Sequence, residues 1–253
     1  MSGPLHNTVA LITGTSSGIG EATALALAEE GATVALAARR LDRLRALATR
    51  IEAAGGQALA IETDVTDAGA VQNLVDETVT RLGRLDTLVN NAGLMLLGPA
   101  VGAPLSDWER MIKINVDGVL NCAHAALPHL LKAAEDSPRG VADMVNVSST
   151  AGRQTRSGSA VYNLTKHGVG AFSDALRQEV TGRHLRVSLV EPGATATELR
   201  DHLSADQQEA QAKRFATMQP LEAADIADAI VYIVTRPRHV AVNEILVRPT
   251  EQV

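Results

Sequence analysis

Short apolar, β-branched runs alternate with longer Ala/Leu-rich stretches at helical spacing along the whole chain. This is the pattern of strands joined by crossover helices in a parallel sheet. The apolar runs predict strands near 8–13, 32–38, 57–63, 85–90, 141–148, 185–191 and 243–247, with helices between them. Ser106 and Glu109 in "SDWE" fit a capping box opening a long helix to about residue 133, while Gly31 and Gly55 stand where helices should stop. No linker, internal repeat or low-complexity tract interrupts the alternation. The expected fold class is α/β, with one domain over 1–253 built on a doubly wound, seven-stranded parallel sheet with helices on both faces.

The first strand-to-helix junction is unusually bare. "LITGTSSGIGEAT", residues 11–23, sets glycines and hydroxyls between an apolar run and an alanine-rich one. A tight turn there leaves unpaired N–H groups at a helix start, where the positive end of the dipole favours a phosphate. Gly14, Gly18 and Gly20 would let a pyrophosphate approach without a Cβ in the way. Glycine-rich turns also serve simple packing, so the junction alone leaves both readings open.

Composition narrows the partners. At 253 residues and 45% hydrophobic, the chain can bury a large core. With 23 basic and 29 acidic residues the net charge is −6, which argues against nucleic acid or an anionic membrane as the main partner. No apolar run approaches the roughly 18 residues of a membrane span and no leader is visible, so the expected location is cytoplasmic. Cys122, in "GVLNCAHAAL", reads as a buried thiol. His124 and His129 are off a shared helix face and no HExxH or CxxC occurs, so no metal is implied.

Tyr162 and Lys166 stand at i and i+4, one helical turn apart on one face. An ammonium there would favour the phenolate. Bringing a phenol from about 10 to near 7 takes roughly 4 kcal/mol, and one cation at about 4 Å in an effective dielectric near 20 supplies that. Taken singly, Tyr162 could instead be an amphipathic core residue and Lys166 a solvated helix charge.

The glycine turn is spaced as "TGTSSGIG", residues 13–20, and is followed in order by "NNAG" at 90–93, an asparagine in "INVDG" at 115, a serine in "VSS" at 149, "YNLTK" at 162–166 and "PG" at 192. In this the chain resembles the short-chain dehydrogenase/reductase family over essentially its whole length. "NNAGLMLLGP", "VEPGATATEL" and "EILVRPTEQV" further resemble the clavulanic acid (clavaldehyde) dehydrogenase-like members. The resemblance implies a Rossmann fold and reversible hydride transfer between a nicotinamide cofactor and a carbonyl compound.

By the same resemblance Tyr162 is the general acid/base, Ser149 holds the substrate oxygen, Lys166 also meets the nicotinamide ribose, and Asn115 positions a water that relays protons. These four are the expected catalytic residues. Cofactor contacts are expected from Gly14, Ser16, Ser17, Gly18, Ile19 and Gly20 in the turn, from Asn91, Ala92 and Gly93, and from Pro192, Gly193, Thr195 and Thr197. Asp64 and Val65 match the adenine end, although Asp64 could equally cap the next helix, as could Asp67. Isolated structural roles remain open for Ser149 as a strand-end cap and Asn115 as a mid-helix bridge.

The acid that this family usually carries after the second strand is replaced by Ala38, and Arg39 and Arg40 follow at once. A guanidinium fork suits a phosphate monoester better than a neutral hydroxyl, so the expected cofactor is NADP(H). The stretch at about 194–220 resembles the family's substrate lid, and its "SADQQEAQAKRF" reads as polar and helical. Arg153 and Arg156 could meet a substrate carboxylate or be solvated loop charges. "AEDSPRGVAD" reads as added surface loop, and Glu191 has no evident role. The family resemblance implies a homotetramer or homodimer built on the helices at 106–133 and 159–182. The function expected is interconversion of an aldehyde or ketone with its alcohol, on a secondary-metabolite aldehyde or small oxo-acid. A non-catalytic NADP(H)-binding redox sensor is the competing expectation.

Overall fold

A computed structural model of the chain describes residues 3–203, 207–209 and 218–252. Seven parallel strands form one sheet in the order β3-β2-β1-β4-β5-β6-β7. They are β1 (Val9–Thr13), β2 (Thr33–Ala38), β3 (Gln57–Glu62), β4 (Thr87–Asn90), β5 (Ala142–Val147), β6 (Leu185–Pro192) and β7 (Glu244–Val247). The sequence places all seven. β1, β4 and β6 are buried along their full length, whereas the edge strand β7 alternates exposed and half-buried positions. Central strands covered on both faces must be apolar throughout; an edge need not be.

Helices cover both faces. On one side α1 (Gly18–Glu29), α2 (Leu41–Ala53) and α7 (Ala223–Val234) bury Leu27, Leu44, Leu47, Ile51, Ile226 and Ile230 against the sheet. On the other side α3 (Ala68–Leu82), α5 (Gly118–Asp136) and α6 (Ala160–Val180) contribute Leu74, Val75, Cys122, Leu130, Leu176 and Val180. Cys122 is buried, and burial pushes its thiol up to about 12, so it is no nucleophile.

Helix ends follow local chemistry. Gly31 (φ 94°) and Gly55 (φ 88°) take the left-handed conformation just beyond α1 and α2, as their sequence positions predict. Asp67 caps α3, accepting from the backbone of Gly69 and Ala70 at 2.8 and 3.0 Å. Asp67→Ala is expected to cost about 1 kcal/mol of unfolding free energy, read as a lower denaturant midpoint at unchanged slope.

The box expected at "SDWE" is absent. Pro104 occupies the cap position, α4 (Leu105–Ile112) begins one residue later, and Ser106 lies inside the first turn. The box belongs instead to α7, where Glu222 and Asp225 cap reciprocally. The single long helix is also interrupted by a π-turn at Lys113–Asp117 before α5 continues to Asp136. "AEDSPRGVAD" is not simply added surface loop: its first three residues complete α5, and Asp143 is buried in an ion pair with Arg186 at 2.7 Å and Arg139 at 3.2 Å. Lacking other means of satisfying a buried carboxylate, the fold surrounds it with guanidinium groups.

β1 and β4 are neighbours, yet the chain winds outward in opposite directions from them. That reversal leaves a crevice beyond the strands' carboxyl ends, where open α/β sheets bind ligands.

Candidate active site

A cleft of about 780 Å³ occupies that crevice. Its floor is made by residues at or just past the ends of β1, β2, β4, β5 and β6: Gly14, Ala38, Asn91, Ser149 and Pro192 among them. Every expected site residue lines it except Gly20 and Asn115.

The glycine turn is held from below. Thr13 Oγ1 accepts from the backbone of Asn91 and Ala92 at 3.1 Å each, and Asn91 Nδ2 donates to the carbonyls of Thr13 and Gly14 at 2.9 and 3.3 Å. Gly14 has φ 71°, and a Cβ there would stand 2.9 Å from the Ala92 Cα. A Cβ at Gly20 would meet the Gly14 carbonyl at 2.4 Å, so Gly20 serves close packing of α1 on the turn rather than room for a ligand, a correction to the sequence reading. Gly18 (φ 58°) is on the wall, opposite Thr197. No side chain caps α1, so its first N–H groups open toward the cleft. A nicotinamide dinucleotide fits these features: a turn that tolerates only glycine, an uncapped helix start and cations at the far end.

Arg39, Arg40 and Arg43 all line that far end. Arg40 donates to Ser16 Oγ (2.8 and 3.0 Å) and Ser17 Oγ (3.0 Å), bracing the turn. Its companion is Arg43, one turn into α2: both guanidinium groups bind the carboxylate of Glu198, at 3.0 Å from Arg40 and 2.6 Å from Arg43. Arg39 lines the cleft but makes no hydrogen bond or ion pair among the described residues. Arg43 was legible only by placing it three residues after Arg40 at a helix start, where the two can share a partner. Asp64 also lines the cleft; it accepts from Thr66 N and Oγ1 at 3.0 and 2.8 Å and does not cap α3.

At the other end Ser149, Tyr162 and Lys166 share one wall. Tyr162 packs among Leu94, Met111 and Trp108. Burial pushes its phenol up to about 12, with a side-chain hydrogen bond to Ser149 acting the other way. Ser149 also accepts from Ala151 N at 3.1 Å, so it is a strand-end cap as well as a cleft residue. Lys166 Nζ lies 5.8 Å from the Tyr162 ring centroid and donates to the Val147 carbonyl at 2.9 Å. Burial lowers its ammonium to about 8.

The sequence expectation of a phenol drawn toward 7 by its lysine is therefore not met in this structure. Desolvation disfavours both charged forms, raising the phenol and lowering the ammonium, and at Tyr162 burial outweighs the pull expected from the lysine. At neutral pH the pair is a neutral phenol beside an ammonium, the state suited to donating a proton.

Asn115 is buried behind the wall. Its amide exchanges hydrogen bonds with the Leu94 backbone (2.7 and 2.8 Å) and reaches Thr165 Oγ1 at 3.2 Å, bridging backbone in the way its structural reading anticipated. Thr165 in turn donates to the Tyr162 carbonyl at 2.8 Å. The π-turn that carries Asn115 is the kind of helix defect common at functional sites.

Arg153 does not face a substrate: its guanidinium holds the buried Glu191 at 2.8 and 2.9 Å and also pairs with Glu244. This accounts for Glu191, which locks the segment before Pro192 to β7. Arg156 does line the cleft, together with Arg110 and His202. The lid segment is described only in part; Thr195 bridges to Leu221, Glu198–His202 form a short 3-10 turn, and most of the helix expected in "SADQQEAQAKRF" lies outside the described residues. Among the described residues no cluster of His, Cys, Asp or Glu could hold a metal ion, and no helix is long and apolar enough to cross a membrane.

Residues 8–208 match the short chain dehydrogenase family. The chain is a short-chain dehydrogenase/reductase. It is 41% identical to a glycine betaine reductase of Emericella nidulans over 253 residues, covering 99% of this chain but 19% of that longer protein. It is 38% identical to sulfoacetaldehyde reductase 2 of Chromohalobacter salexigens over 96% of this chain and 95% of the relative. A serine dehydrogenase solved with NADP+ superposes with a TM-score of 0.87 at 30% identity, over 97% of this chain and 96% of that one. This short-chain dehydrogenase/reductase is accordingly an oxidoreductase on a single Rossmann-like domain.

Proposed function

We infer that the protein is an NADP(H)-dependent reductase of a small aldehyde or ketone that bears an acid group. The observation that carries this reading is the convergence of Ser149, Tyr162 and Lys166 on one wall of the cleft whose other end presents Arg40 and Arg43. NADPH, held by the glycine turn and these arginines, would supply the hydride for the carbonyl carbon. Tyr162 donates its proton to the carbonyl oxygen, and Ser149 hydrogen-bonds to that oxygen as negative charge gathers on it. Lys166, anchored on Val147, keeps a positive charge beside the phenolate left behind. Asn115 acts as a positioning residue, pinning the Leu94 wall against Tyr162.

Substrate class follows from the cleft's other side chains. Leu94, Met95 and Leu97 give an apolar wall near Tyr162, and Arg110 and Arg156 give it positive potential. The compounds in the relatives' names, glycine betaine, sulfoacetaldehyde and serine, are small and charged. A small oxo-acid fits both facts. Within the family we place the chain near the clavulanic acid dehydrogenase-like branch, on its "VEPGATATEL" segment. The half-exposed Leu120 on α5 and exposed Leu164 on α6 support assembly as a homodimer or homotetramer through those helices.

NADPH absorbance followed with a panel of small oxo-acids and neutral aldehydes tests the reading. Oxo-acids should be reduced at the highest kcat/KM; a chain that binds NADPH and reduces none of the panel would instead be the redox sensor. Rate should also report on Lys166. Its lowered ammonium is charged below about 8 and lost above it, so reduction is expected to hold level to about pH 8 and then decline. A profile level to pH 10 would separate the rate from the lysine's charge.

A further inference from the structure

One ion pair in the cleft has no place in the mechanism above. Glu198 stands at the start of the 3-10 turn that follows Thr197, and its two carboxylate oxygens are divided between Arg40 and Arg43, which come from the far side of the cleft 155 or more residues earlier in the chain. All three side chains line the cleft and all are more than 40% exposed, so an incoming ligand reaches them directly. The Nε and Nη2 groups of Arg40 are engaged by Ser16 and Ser17. The two guanidinium groups hold the Glu198 carboxyl down at about 2, Arg43 acting first and Arg40 second, so it is an anion throughout the working range.

A carboxylate offers a guanidinium the same thing a phosphate monoester does: paired anionic oxygens that accept in a fork. Two cations already assembled around one such group are a preformed anion site with an internal occupant. We propose that Glu198 is a cofactor-selectivity residue, an internal counter-anion that the 2′-phosphate of NADP(H) must displace from Arg40 and Arg43. A cofactor ending in a neutral 2′-hydroxyl makes no claim on those cations and leaves the pair in place. Glu198 thereby weakens NADP(H) binding selectively and narrows the preference that the two arginines create. This rests on the assignment of Arg40 and Arg43 as the cofactor's phosphate clamp.

Dissociation constants for NADPH and NADH, measured by nucleotide fluorescence on wild type, Glu198→Gln and Asp201→Asn, decide the matter without any turnover. Glutamine keeps the shape and removes the charge; Asp201 lines the same cleft on the same turn without pairing with either arginine. The affinity ratio of NADPH over NADH is expected to rise about fivefold in Glu198→Gln, the scale of freeing exposed ion pairs, and less than twofold in Asp201→Asn. A ratio unchanged in Glu198→Gln, or raised equally by both substitutions, overturns displacement in favour of no coupling or of a general field effect. The wild-type ratio answers separately: wild type binding NADH as tightly as NADPH refutes the cofactor reading, while the change on substitution still decides the role of Glu198.

Discussion

Tyr162→Phe is expected to slow carbonyl-dependent NADPH oxidation by about 10³-fold, the usual worth of a positioned proton donor. The substitution removes one oxygen from a ring packed among Leu94, Met111 and Trp108, so the wall and the fold should survive. NADPH should bind as before, because the groups that hold its far end lie on the glycine turn and α2. On the proposed mechanism the phenol is the proton source: burial keeps it protonated to about 12, and the neighbouring ammonium at 5.8 Å from its ring is in place to stabilise the phenolate left behind. Stopped-flow absorbance and a fluorescence titration separate the two effects. Equal rates in both proteins would remove Tyr162 from the chemistry.

The second large effect is on cofactor choice. Replacing Arg40 and Arg43 together by alanine should weaken NADPH by about 100-fold and NADH by less than about threefold, since two charge-assisted contacts to a phosphate are lost and a hydroxyl has little claim on them. Arg39→Ala, altering a side chain without partners among the described residues, should move neither constant by more than about twofold. Isothermal titration provides both numbers. Parallel loss for the two cofactors would mean that the arginines brace the turn through Ser16 and Ser17 and do nothing for selectivity.

Strand positions were legible because five of the seven are covered on both faces and so read as unbroken apolar runs. The glycine turn and the Tyr162–Lys166 spacing were legible because each demands particular residue types at fixed intervals. What the sequence could not convey is partnership across the fold. Glu198 meets Arg40 and Arg43 only after the sheet brings β2 and the segment beyond β6 to one crevice. Glu191 finds Arg153 in the same manner, which turns a candidate substrate ligand into a brace. Electrostatic sign was also hidden: i, i+4 spacing brings a lysine near a tyrosine, but whether charge or burial dominates depends on how much water the wall admits, and here burial raises one group and lowers the other. The misplaced capping box has a simpler cause, since Pro104 fixes the entry to α4 two residues earlier than Ser106 would.

The most direct measurement is the fate of deuterium carried at both positions of the reducing carbon of NADPH when the best oxo-acid of the panel is turned over. Mass spectrometry should find one deuterium on the carbinol carbon of the alcohol made by wild type, and no such product from Tyr162→Phe on the same timescale. An unlabelled alcohol, or equal labelled product from both proteins, would contradict hydride reduction completed by the Tyr162 proton.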